Sequence, residues 1–130
     1  MAKLTAQQAS DLANNFLGLA QSIGDYRFTN WNTLSKSDNQ KLGNLQWSIL
    51  NAGEDILALS TTLVMNDVQH ALAQINDISG QIKATINTLT NIQKVINVAA
   101  SVVSLAAAVI SKNPLSIVDG IQNLATAWNS

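Results

Sequence analysis

The sequence predicts an all-α fold: an antiparallel bundle of four main helices, one of them, at about 67–112, long and unusually apolar. Three observations carry that reading. Apolar side chains recur at steps of three and four through most of the chain, the spacing that lines one face of a helix. Hydroxyl and amide residues stand where those stripes begin, as helix-capping residues do. The run 95–111 holds no charge and is nearly apolar all round, and a helix of that kind is buried in protein or in lipid.

The first helix is expected over 5–24. Thr5-Ala-Gln-Gln8 reads as a capping box, in which the Thr5 hydroxyl accepts from the backbone three residues on and Gln8 reaches back. Ala9, Leu12, Phe16, Leu19 and Ile23 form one stripe, and Gly24-Asp25 ends the regular pattern. Residues 26–35 read as an aromatic loop, Tyr26-Arg27-Phe28-Thr29-Asn30-Trp31. The plain expectation is a hydrophobic plug over one end of the bundle, with Arg27, the only arginine, stacked on a ring. The sharper one is a ligand or membrane-interface contact.

The second helix is expected over 37–65, with Ser37-Asp-Asn-Gln40 as a second capping box. Leu42, Leu45, Ile49, Ala52, Ile56, Leu59 and Leu63 then step by three and four without a miss, a coiled-coil-like heptad pattern. Past Leu63 the same register would fall on Asn66 and His70, both polar. A break at Met65-Asn66-Asp67 follows, with Asn66 capping the next helix. An unbroken helix over 37–112 would be on the order of 110 Å long, too long for a compact domain of this size.

The third helix is expected over 67–112. Ala71, Ile75, Ile78, Ile82, Leu89, Ile92, Ile96, Ala99, Val103, Ala106 and Ile110 hold one register, with Thr85 or Ile86 filling the gap before Leu89. The stripe passes Ser79-Gly80 without changing face. Asn113-Pro114 ends this helix and starts the last, over 114–128, with Asn113 as cap and Pro114 at the first position. Leu115, Val118, Ile121, Leu124, Ala125 and Trp128 are its expected apolar face. The predicted core includes Leu45, Ile49, Ile56, Leu59, Ile82, Leu89, Ile96 and Val103. The chain reads as one domain, 1–130, without repeats or linkers.

Composition narrows the function. Apolar residues make up 47% of the chain and charged residues 12%, about half the usual charged share. A surface built of amides and hydroxyls repels itself weakly, which eases self-association. Net charge is −1, and the seven Lys and Arg are scattered singly, so no basic patch neutralises the phosphates of nucleic acid or of anionic lipid. There is no cysteine. The first residues contain no apolar leader, so no secretory signal is read. Localisation stays open between a soluble protein and a membrane-associated one.

Little in the sequence could carry chemistry. Asp67, His70, Gln74 and Asp77 share one helical face, but a single imidazole with two carboxylates and no thiolate is a poor metal set, and a solvated face is expected. Glu54 and Asp55 are neighbours on a helix, pointing about 100° apart, and cannot act as a catalytic dyad. Gly-rich phosphate loops and nucleophile elbows are absent. The expectation is no enzyme, no cofactor, no metal and no small-molecule substrate.

The function expected is that of a non-enzymatic structural or interaction protein that self-associates through apolar helix faces. Val98, Val102, Val103, Leu105, Val109 and Ile110 are its candidate contacts, with an oligomer or with a membrane. If 42–63 paired antiparallel with 71–110, the second would outrun the first by roughly 20 Å, and a second copy of the chain is the simplest cover. The alternative is a membrane- or lipid-active protein that inserts 95–110. In arrangement alone, long amphipathic helices with one apolar segment resemble the helical pore-forming toxins of the haemolysin E type, and that resemblance implies insertion of the segment.

Overall fold

In the computed structural model, residues 2–130 are described. The elements in chain order are β1 (Ala2–Lys3), α1 (Ala6–Thr29), α2 (Lys36–Leu59), β2 (Val64–Met65), α3 (Val68–Thr85), α4 (Ile92–Ile110) and α5 (Pro114–Asn129), with single 3-10 turns at Ser60–Thr62 and Ile86–Thr88. The architecture is all-α, five helices packed antiparallel. Each helix lies beside two others in the order α1, α2, α4, α5, α3 and back to α1. The apolar stripes meet in the shared interior.

The N-terminal cap is the capping box the sequence announces: Thr5 Oγ1 accepts from the Gln8 N–H at 3.1 Å and Gln8 Oε1 from the Thr5 N–H at 2.9 Å. Beyond it, α1 outlasts its expected end by a turn. Gly24 sits inside the helix, and a Cβ there would lie 2.5 Å from Gln46 Nε2. The glycine therefore serves close packing of α2, not helix termination. Residues 26–29 are helical, and Asn30 closes the end, its side-chain amide donating to the Tyr26 carbonyl at 2.9 Å.

Ser35, not Ser37, caps α2, accepting from the Asp38 N–H at 3.0 Å. That choice places Asp38 in the first turn, where a carboxylate favours the helix dipole. The helix ends at Leu59 instead of 65. Ser60 takes a left-handed φ of 47°, and the chain then straightens so that Val64–Met65 pairs antiparallel with Ala2–Lys3, Ala2 opposite Met65. The Leu4 N–H donates to the Leu63 carbonyl at 3.0 Å. The two-residue strands hold the N-terminus across the break that the failing register marks. Asp67, one residue beyond the expected Asn66, caps α3 by accepting from the His70 N–H at 3.1 Å.

The stretch expected as one helix over 67–112 is two. It runs through Ser79 and Gly80 as anticipated, then breaks at the gap in the stripe. Ile86–Thr88 forms a 3-10 turn, Leu89 is extended, and Asn91 caps α4 by accepting from the Lys94 N–H at 3.1 Å. The sequence there is Asn87, Thr88, Thr90 and Asn91, residues whose side chains compete for backbone partners. Ile86 is fully buried and Leu89 half-buried, so both apolar positions are satisfied without a continuous helix. The reversal sends α3 back along α1 and α4 along α2. The overhang that a long helix would leave does not arise.

Asn113 and Pro114 start α5 as read from the sequence, with Asn113 Oδ1 accepting from the Ser116 N–H at 3.2 Å. The tight reversal before it uses a left-handed Lys112, φ 60°. Its inward face is Ile117, Gly120, Ile121 and Leu124, while Leu115 and Val118, expected inside, stand exposed. The cause is Gly120: a Cβ there would lie 3.2 Å from Leu105 Cα, so α5 turns its glycine side to α4. Replacing Gly120 by Val is expected to force the helices apart and lower stability by about 1–3 kcal/mol. An unchanged urea midpoint would contradict the close α4–α5 approach.

Of the predicted core, Ile49, Ile56 and Ile82 are fully buried. Leu45, Leu59, Leu89, Ile96 and Val103 pack against its margin, half-buried. The centre is filled by residues such as Phe16, Leu42, Ile75, Val98, Val102 and Leu105.

Candidate interaction surfaces

The six residues singled out on α4 lie mostly inside. Val98, Val102, Leu105 and Val109 are fully buried against the chain's own core, and Val103 and Ile110 are half-buried. The helix is also less uniform than its composition suggests. Gln93, Asn97, Ala100, Ser104, Ala107 and Ser111 form one exposed strip of small or amide side chains. Among the described residues, α4 is the one helix long and apolar enough, by length and composition, to cross a membrane.

The Tyr26–Trp31 segment splits inward and outward. Tyr26 is buried, and its hydroxyl donates to the Leu89 carbonyl at 3.4 Å. Burial pushes that hydroxyl above its ordinary pKa of 10.0, because the anion would lose its solvation. Tyr26 is thus the plug the sequence suggests, and it fastens the α3–α4 connection to α1. Phe28 and Trp31 are 84% and 57% exposed and plug nothing.

Between them Arg27 is held in place. Its guanidinium carbon lies 5.8 Å from the centre of the Trp31 ring, its Nε donates to Asn39 Oδ1 at 2.8 Å, and its Nη1 donates to Gln46 Oε1 at 2.9 Å. A Cβ on Gly43 would stand 3.0 Å from the guanidinium carbon. Glycines on facing helices, Gly24 and Gly43, thus leave room for a polar pair, Gln46 and Arg27, at the α1–α2 contact. A groove of about 360 Å³ opens here, lined by Asp25, Arg27, Phe28, Trp31 and Gln46. A second hollow of about 510 Å³ lies against Phe28, Trp31 and Asn32. The stacking of Arg27 on a ring is readable from the sequence. Its amide partners, 12 and 19 residues away, are not.

Elsewhere the large exposed apolar side chains are Trp47 and Leu57 on α2 and Leu115 and Val118 on α5. Trp47 and Leu57 fall between the stripe positions of their heptads, which was their only signal. On the His70 face, the Asp67 carboxylate caps α3 and Asp77 accepts from the Gln81 side chain at 3.2 Å. Among the described residues no group of three or more His, Asp or Glu is placed to hold a metal ion. At the other end of the bundle, Lys94 Nζ lies 5.2 Å from the Trp128 ring centre and donates to the Ser130 carbonyl at 3.1 Å, tying the end of α5 to the start of α4. No family model, curated protein or solved structure matches the chain.

Proposed function

We propose that this is a non-enzymatic interaction protein that self-associates through apolar side chains on its helix surfaces. The observation that carries the reading is a buried core surrounded by a surface with few charges on which Trp47, Leu57, Leu115 and Val118 stand exposed. Apolar side chains of this size gain by mutual burial, and little like-charge repulsion opposes the approach of a second copy. The α4 residues Val98, Val102, Leu105 and Val109 serve such contacts only if the bundle opens, so the outer faces of α2 and α5 are the contact surfaces proposed. At micromolar concentration the protein is expected to sediment as a dimer or larger, and Trp47→Ser with Leu57→Ser, or Leu115→Ser with Val118→Ser, is expected to yield monomer without loss of helix. A wild type that stays monomeric at high micromolar concentration overturns the reading.

A second reading, lipid activity, is favoured by α4 itself, whose 19 residues carry one charge, Lys94. Opening of the bundle would release this helix into a bilayer. Release of dye from neutral liposomes on adding the purified protein is its test, and intact liposomes at saturating protein would eliminate it.

A further inference from the structure

We propose that the groove beside Arg27 binds the phosphocholine headgroup of a zwitterionic lipid, with Phe28 and Trp31 entering the membrane interface. The inference goes beyond self-association, and it does not require α4 to leave the bundle.

The groove offers both charges. Arg27 is half-buried and always protonated. Its two hydrogen-bond partners, Asn39 and Gln46, are neutral amides, so they orient the guanidinium without cancelling its charge. Among the described residues its Nη2 makes no hydrogen bond, and it packs beside Gly43 on α2, so a phosphate oxygen would approach it along that edge. Asp25 lines the same groove. At 100° per residue, Asp25 and Arg27 lie towards opposite rims, with Gly24 and Phe28 between them. A lone anion at Arg27 would be repelled by Asp25, and a lone cation at Asp25 by Arg27. A ligand with an anionic and a cationic group a short distance apart suits both.

The aromatic pair decides what kind of cation fits. A quaternary ammonium has no N–H to give to hydrogen-bond acceptors and is held by aromatic faces. Phe28, 84% exposed, offers a free ring face with the Asp25 carboxylate on the same groove, while Arg27 already lies over the Trp31 ring.

A lipid is favoured over free phosphocholine by what lies next to the groove. The second hollow continues across Phe28 and Trp31, and its walls are chiefly apolar. A soluble headgroup would cover only the ring face it meets and leave the rest of Phe28, 84% exposed, in water, whereas the boundary between headgroups and acyl chains would cover it. Trp side chains favour that depth. The scattered lysines and the net charge of −1 give no general attraction to anionic lipid.

The test is flotation of the 130-residue chain with vesicles of phosphatidylcholine alone and of phosphatidylglycerol alone, with soluble phosphocholine as competitor. Binding to phosphatidylcholine is expected to exceed binding to phosphatidylglycerol and to fall as phosphocholine is added. Phe28→Ser and Trp31→Ser are each expected to weaken it about tenfold, the scale of one lost cation–π contact, with an unchanged melting curve for Phe28→Ser, whose side chain already stands in solvent. Arg27→Gln is expected to weaken it further. Equal or tighter binding to phosphatidylglycerol, absence of binding to phosphatidylcholine, phosphocholine binding without vesicle binding, or full binding by Phe28→Ser would each overturn the proposal. Dye release is scored separately, so binding without leakage supports this site whatever becomes of α4.

Discussion

Ile56→Ala is expected to destabilise the protein by about 2–5 kcal/mol, read as a shift of the urea midpoint at unchanged slope. Ile56 is fully buried in α2, a helix that packs against both α1 and α4. Removing three carbons there forfeits their transfer from water and leaves a cavity that neighbours on several helices cannot all relax to fill. The same truncation at Ile96 is expected to have a smaller effect. Ile96 occupies an equivalent place in its own stripe but is half-buried, so water fills part of the vacated space. Equal losses at the two positions would mean that the α4 face carrying Ile96 is covered by something outside the single chain. No loss at Ile56 would mean that the α2 stripe does not face the core.

The contrast between Ile56 and Ile96 shows what the sequence could convey. Periodicity identifies a face, and within α2 it identified the right one: Leu42, Ile49 and Ile56 are all fully buried. It does not say how wide the buried arc is. In α4 that arc is centred on Val95, Val98, Val102, Leu105 and Val109; of the expected stripe Ala99 and Ala106 lie within it, and Ile96, Val103 and Ile110 at its margin. A helix apolar nearly all round offers several stripes of similar quality, and only its neighbours select among them. The break at 86–91 was written in the gap of the stripe and in its Asn and Thr residues. A heptad register that happens to resume in phase after the gap concealed it. Ends set by local hydrogen bonding were the most legible: the Thr5 box and the Asn113-Pro114 junction stand as read. The cap of α2 falls two residues before the expected Ser37, at Ser35, which accepts from the Asp38 N–H.

The surface groove was half legible for a related reason. Tyr26, Arg27, Phe28 and Trp31 are adjacent in sequence, so their shared neighbourhood was evident. Which ring goes inward is set by the helix that continues to Thr29, and Gly24-Asp25 argued against that continuation. The glycine is explained only by Gln46 lying against it, a contact between helices with no local trace.

Val102→Asp is expected to abolish folding at neutral pH, whereas Ser104→Asp is expected to leave the melting temperature nearly unchanged. Val102 is 1% exposed, on the buried arc of a helix packed between α2 and α5. An ionised carboxylate placed there has no cation nearby on its own helix: Lys94 and Lys112, the nearest in sequence, lie eight and ten residues away at or beyond the helix ends. Burying an unpaired charge costs several kcal/mol even after relaxation, in addition to the packing of the lost valine. That is comparable with the whole stability of a domain this size, about 5–15 kcal/mol. Ser104 lies on the exposed strip, two residues on and across the helix, so its carboxylate remains hydrated and tests whether mere charge on α4 matters. The two outcomes separate a core role for Val102 from a contact role. If Val102 packs within the chain, the Asp variant loses its far-ultraviolet helix signal and its cooperative melt, and Val102→Ala retains both at reduced stability. If Val102 instead met a second copy or a membrane, the Asp variant would be a well-folded monomer that melts like the wild type and has lost only association or leakage.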